Sequence, residues 1–199
     1  MTSTSATRPD ILRSEILQMG PVAPQGQALL DAGYTIHRYW QAADKDALIA
    51  SIKDRITVAV TSGPNGLNGP MMDRFPKLVQ ISNFGVGYDG VDANAAAARG
   101  IIVTNTPDVL NECVADTCMA LVLGAVRRIA YHDRYVRAGK WLEKAAPLTD
   151  RLWGSKMGIL GLGRIGMVIA RRAESFKMEI AYCNRNKRTD VPYAYFPSA

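Results

Sequence analysis

Histidine and cysteine are scarce in this chain, two and three residues in 199. The cysteines, Cys113, Cys118 and Cys183, are odd in number and form no CxxC pair, which argues against a disulfide framework or a zinc site, and no metal is expected. Cys113 and Cys118 fall within an apolar helical pattern, so reduced core thiols in a reducing cytoplasm are expected. Long apolar runs are also missing. None approaches the ~20 residues that a membrane-spanning helix needs, so no membrane association is expected. The opening MTSTSATRPD lacks the regions of a secretory signal and reads as a disordered tail. The charge is +6, but it is dispersed along the chain and no groove-reading motif accompanies it, so nucleic acid is not an expected partner. What remains, 48% apolar and 21% charged, is the composition of a globular protein.

Short β-rich runs alternate with helical patterns. Strands are expected at Arg13–Met19, Tyr34–Arg38, Ile56–Val60, Leu78–Ser82 and Ile101–Asn105. Helices are expected at Pro24–Ala32, Lys45–Arg55, Met71–Phe75 and Asp92–Arg99. Such a series predicts an α/β fold with a parallel sheet. The pattern then changes. Asn111–Ala138 reads as one long helical stretch, with a break near His132, whose Val114, Ala115, Cys118, Leu121, Val122, Ala125 and Ile129 recur at three and four. It is too long for a crossover and suggests a domain boundary or a subunit contact. A new βαβ unit follows, with strands Met157–Leu160 and Glu179–Cys183 around a helix Arg164–Phe176.

Between that strand and that helix lies Gly161-Leu162-Gly163-Arg164-Ile165-Gly166. A GxGxxG alone is weak, but a strand that runs into it and a helix that follows supply the context of a dinucleotide-binding turn. Gly161 permits the tight turn, Gly163 lets the backbone approach a pyrophosphate, and Gly166 lets the helix sit close on the strand. The helix N-terminus favours an anion. About 18 residues beyond Gly166, at the end of the second strand, such folds carry the residue that reads the ribose. Here it is Asn184, uncharged, followed by Arg185, Lys187 and Arg188. A carboxylate there would repel a 2′-phosphate, whereas guanidinium and ammonium groups attract one. The expected cofactor is therefore NADPH rather than NADH.

Four stretches, in this order, resemble the D-isomer-specific 2-hydroxyacid dehydrogenases, and within them the glyoxylate/hydroxypyruvate reductase branch. They are Ser82–Asp89 (SNFGVGYD), Val103–Pro107 (VTNTP), Val114–Thr117 (VADT) and Gly158–Gly166 (GILGLGRIG). The likeness runs from about Ile16 to the end. It implies a flavodoxin-like substrate domain, residues 1–106, followed by a linker or dimerisation helix and the first half of a Rossmann-type cofactor domain, residues 107–199, with the active site in the cleft between the domains. It implies a small 2-keto acid as substrate and a homodimer that uses the region after Asn111. It also implies that the backbone of Val86 and Gly87 receives the substrate carboxylate, that Arg164 and Ile165 lie against the pyrophosphate, and that Thr117 lies near the nicotinamide.

Reduction of a keto acid also requires a proton donor tuned near the working pH and a cation that polarises the carbonyl. In the family these are Arg, Glu and His residues from the later part of the cofactor domain. This chain has no match for them. His37 falls in an early strand, His132 near the long helix, and Arg99-Gly100 precedes a strand of the first domain. No catalytic residue is therefore assigned. Two strands of a dinucleotide fold are expected before Ala199, which reads as a truncation. The alternative to a reductase is a non-catalytic nucleotide-binding or dimerising module.

Overall fold

The computed structural model describes residues 14–198. The expected N-terminal tail and Arg13 lie outside the described residues. The fold is α/β and falls into two compact units, one ending at Pro107 and the next beginning at Asp108.

The first unit runs β1 (Glu15–Gln18), α1 (Pro24–Gly33), β2 (Thr35–Arg38), α2 (Lys45–Ile52), β3 (Val58–Ser62), α3 (Gly69–Met72), β4 (Gln80–Phe84), α4 (Ala93–Ala98), β5 (Ile102–Thr104). The strands are parallel throughout, in the order β2-β1-β3-β4-β5. This is the flavodoxin-like order, in which ligands gather at the carboxyl ends of the strands. Three helices start where a short polar side chain satisfies free N–H groups: Asp44 receives Asp46 and Ala47, Asn68 receives Met71, and Asp92 receives Ala95. Leu17, Ile49, Ile52, Phe75 and Ile81 form the centre of the core.

Strands β3 and β4 begin two residues later than the apolar runs predict. Ile56 and Leu78 are buried, but they precede the paired segments. An apolar run reports burial, whereas pairing also needs a neighbour in register. At the start of β1, Glu15 accepts hydrogen bonds from Arg55 and His37, and Arg55 foremost holds its carboxyl below the usual carboxylate range. His37 is thereby a structural partner. Arg99 likewise makes a two-pronged contact with Asp73, at 2.7 and 2.8 Å, and holds that carboxyl low.

The second unit runs α5 (Asn111–Val126), α6 (Ile129–Arg137), α7 (Lys140–Glu143), β6 (Lys156–Leu160), α8 (Arg164–Ser175), β7 (Glu179–Cys183), β8 (Ala194–Phe196). The sheet is parallel, in the order β6-β7-β8. There are thus three strands here, not the two expected. Strand β8 escapes sequence reading because it is three residues long and lies between Pro192 and Pro197. It is held by its register with β7 and by Tyr195 packing on Tyr182, ring centroids 5.4 Å apart. The long helix breaks at Arg127-Arg128, not near His132. Arg128 takes a left-handed conformation (φ +48°) with neither glycine nor proline to announce it.

Cys113 is exposed and Cys118 half-buried, so neither is the core thiol expected. Ala115 and Met119 supply the buried face of α5 instead. Helix α5 packs along α8, where Arg172 reaches both Glu112 (2.7 Å) and Asp116 (2.8 Å). No helix among the described residues is long and apolar enough to cross a membrane, and no group of three potential metal ligands occurs among them.

Candidate nucleotide and anion sites

In the second unit, β6 ends at Leu160 and the chain turns at Gly161, whose φ of +96° suits glycine. Gly161 N–H donates to Cys183 O at the end of β7 (2.9 Å). The turn then enters α8 with Gly163 at the N-cap position, where no side chain caps the helix. Among the described residues, the N–H groups of Gly163, Arg164 and Ile165 donate to nothing, the ordinary state of a helix start awaiting an anion. A methyl group placed on Gly163 would meet nothing within 4 Å, so its bare backbone faces open space. One placed on Gly166 would strike Gly161 O at 2.2 Å. The two glycines thus serve different ends, access at Gly163 and close packing at Gly166.

An open cavity of about 670 Å³ lies over this turn, lined among others by Gly161, Gly163, Asn184, Arg185 and Asn186. Asn184 is partly committed to the turn: its Oδ1 accepts from Leu162 N–H at 2.7 Å. Its neighbours divide by role. Arg185 and Lys187 are exposed and make no ion pair among the described residues. Arg188, expected to attract phosphate with them, is spent on the scaffold. It donates to Leu162 O (3.0 Å), pairs with Asp190, and its N–H donates to the hydroxyl of the buried Tyr182 (2.8 Å). Asp190 accordingly lies below its usual range, held there by Arg188. Asp190 and Tyr182 are the residues sequence reading missed, together with this scaffold role of Arg188. The Arg-x-Asp spacing was the one available signal, because the carbonyl that Arg188 grips is 26 residues away.

Gly161, Gly163, Asn184 and Arg185 are therefore brought to one cavity. Arg164 points a half-free guanidinium at Asp108, 3.4 Å away, and Ile165 and Gly166 continue the helix behind the turn. Thr117 and Lys187 do not line the cavity. Thr117 Oγ1 donates to Cys113 O within α5 (3.0 Å).

In the first unit, Val86 and Gly87 lie in the loop after β4. Their N–H groups donate to nothing among the described residues. Their carbonyls are both taken, Val86 O by Asn105 Nδ2 (2.8 Å) and Gly87 O by Asn83 Nδ2 (2.9 Å). Such a loop offers donors and withholds acceptors, which suits an anion.

The sequence model of the D-isomer specific 2-hydroxyacid dehydrogenase catalytic domain matches residues 16–189. The chain is 38% identical over 183 residues to glyoxylate/hydroxypyruvate reductase A of Arabidopsis thaliana, covering 92% of this chain and 58% of that protein. Among solved structures, the 2-hydroxyacid dehydrogenase of Ketogulonicigenium vulgare Y25 superposes with a TM-score of 0.86 at 42% identity, covering 92% of this chain and 58% of that one. The NADPH-dependent glyoxylate/hydroxypyruvate reductase of Sinorhizobium meliloti, solved with NADP and malonate, gives 0.80 at 42% identity, covering 93% and 57%. The chain therefore spans a little under three fifths of the length of these relatives.

Proposed function

The chain belongs to the D-isomer specific 2-hydroxyacid dehydrogenase family, and from that premise we propose that the protein reduces a small 2-keto acid of the glyoxylate or hydroxypyruvate type to its D-2-hydroxy acid with NADPH. The observation that carries this reading is the cavity over the glycine turn, with free N–H groups on one side and the uncompensated Arg185 on the other. The residues fit the cofactor. Gly163, Arg164 and Ile165 would hold the pyrophosphate through their N–H groups, with Gly161 and Gly166 shaping the turn. Asn184, through the amide not spent on Leu162, would reach the ribose, and Arg185 and Lys187 would hold the 2′-phosphate. When bound, the nicotinamide supplies the hydride. Thr117 would lie toward that end of the cofactor. The N–H groups of Val86 and Gly87 would hold the substrate carboxylate, fixing which carbon is presented. In this reading the unit ending at Pro107 is the substrate domain and the unit beginning at Asp108 the cofactor domain, and the compartment is the cytoplasm.

Hydroxypyruvate-dependent oxidation of NADPH, followed at the NADPH absorbance, tests the activity. NADH serving better than NADPH would refute the cofactor assignment. The second reading is a non-catalytic nucleotide-binding module; of the histidines in this chain, His37 is bound to Glu15, and His132 Nε2 is buried with no hydrogen-bond partner among the described residues. That reading requires nucleotide binding without turnover.

A homodimer is also proposed. Helices α5 and α6 leave Leu121 (69% exposed), Ile129 and Val136 uncovered, and Trp141 and Leu142 follow in α7. Exposed apolar side chains that recur along three consecutive helices support an association surface. Leu121→Glu is expected to shift the sedimentation coefficient from dimer to monomer, with at least a tenfold weaker association, since a charge would be buried at the contact. A wild-type chain that sediments as a monomer at micromolar concentration would refute the dimer.

A further inference from the structure

We propose that Asn83 and Asn105 are positioning residues that hold the Val86–Gly87 backbone open as a carboxylate receptor. The proposal rests on the reading of that loop as the substrate-carboxylate site and adds what builds the site.

A peptide's carbonyl and its N–H point in opposite directions, so fixing one aims the other. The Gly85–Val86 peptide is fixed through Gly85 O, which accepts from Thr106 N–H (3.0 Å) and Asn83 Nδ2 (3.2 Å). The Val86–Gly87 peptide is fixed through Val86 O, which accepts from Asn105 Nδ2 at 2.8 Å. The far end is fixed through Gly87 O, held by Asn83 Nδ2 at 2.9 Å. Three successive carbonyls are thus tied back to the scaffold, and the N–H groups of Val86 and Gly87 are aimed away from those anchors. Gly85, at φ +151°, takes the sharp corner that lets Asn83 reach across three residues to Gly87.

Asn83 can do this because it is itself immobile. It is 2% exposed at the end of β4, and its Oδ1 accepts from Thr61 Oγ1 on β3 at 3.0 Å. The other end of the amide faces the carbonyl oxygens of Gly85 and Gly87, which can only accept, so that end is Nδ2, and the Thr61 hydroxyl donates to the oxygen. Asn105 stands just past the end of β5, the strand beside β4 in the sheet. The receptor is therefore assembled from three adjacent parallel strands. An amide suits this work where a carboxylate would not: it donates two hydrogens and carries no charge to repel the incoming anion. Donors fixed before the ligand arrives need no reorganisation on binding.

A purely structural role would leave anion binding unchanged when the loop keeps its fold, so binding is the discriminating readout. The 15N-labelled chain is titrated with oxamate, a stable 2-keto acid analogue, and the amide resonances of Val86 and Gly87 are followed. In the wild type both move saturably. In Asn105→Ala the remainder of the spectrum is retained, and the affinity read at these two amides falls about fivefold or more, the scale of one lost hydrogen bond. Should Asn105→Ala disturb the fold, Asn105→Asp keeps the shape, removes the donor, and is expected to weaken oxamate still further. No response at Val86 and Gly87 in the wild type would refute the carboxylate reading itself. A wild-type response with unchanged affinity in a folded Asn105→Ala or Asn105→Asp would overturn this proposal and leave that reading standing.

Discussion

Gly166→Ala is expected to lower the stability of the second unit by about 1–3 kcal/mol, the usual cost of forcing extra volume into a packed site. A Cβ at this position would stand 2.2 Å from Gly161 O and 3.1 Å from Gly161 C, and both are backbone atoms that cannot swing aside. Relief requires either α8 to lift from β6 or the glycine turn to open, and the turn is pinned by Gly161 N–H on Cys183 O and by Leu162 N–H on Asn184 Oδ1. For a unit of this size each kcal/mol corresponds to roughly 4–8 °C in melting temperature. Gly163→Ala is the internal control. Its Cβ would meet nothing within 4 Å, and its φ of −83° suits any residue, so the melting temperature should be unchanged. That methyl would nonetheless stand where a pyrophosphate must approach, so NADPH affinity should fall about tenfold or more, equivalent to ~1.4 kcal/mol. Thermal unfolding followed by circular dichroism, paired with a nucleotide titration, separates the two. Equal effects of both substitutions on stability would contradict the division of roles between these glycines.

The second large effect is expected at Arg185. Arg185→Asp should lower the ratio of NADPH to NADH affinity about 100-fold, because a charge-assisted hydrogen bond is lost (~1.5–3 kcal/mol) and a like charge is set against the phosphate. Arg185 can carry such an effect because it is exposed, lines the cavity and has no acidic partner among the described residues. Arg188 is the instructive contrast. Its guanidinium is already satisfied by Asp190 and Leu162 O, and the pairing holds its charge more firmly than usual. Arg188→Met should therefore weaken NADPH and NADH alike, by loosening the turn, and leave their ratio within about twofold. An unchanged ratio in Arg185→Asp would remove the basis for preferring NADPH.

The contrast between Arg185 and Arg188 also marks the limit of sequence reading. Both follow Asn184, both are basic, and locally only Asp190, two residues after Arg188, tells them apart. Period and turn chemistry were legible because they are local: the alternation of strands and helices and the strand–glycine–helix order around Gly161 to Gly166 each arise from residues within a few positions of one another. The sequence by itself therefore determined the α/β class, the flavodoxin-like first unit, the glycine turn and the family. Tertiary structure alone decided the rest. It added β8, too short to carry a pattern, by pairing it with β7. It broke the long helix at Arg128, where the backbone turns left-handed without a glycine. It turned Cys113 outward, because the buried stripe of α5 is set by what α8 covers. It also joined Asn83 and Asn105 to the Val86–Gly87 loop across separate strands. The β7–β8 pairing, the packing of α5 on α8 and the Asn105 contact depend on atoms brought together from positions distant in the chain, and a contact of that kind leaves no periodic trace in the sequence.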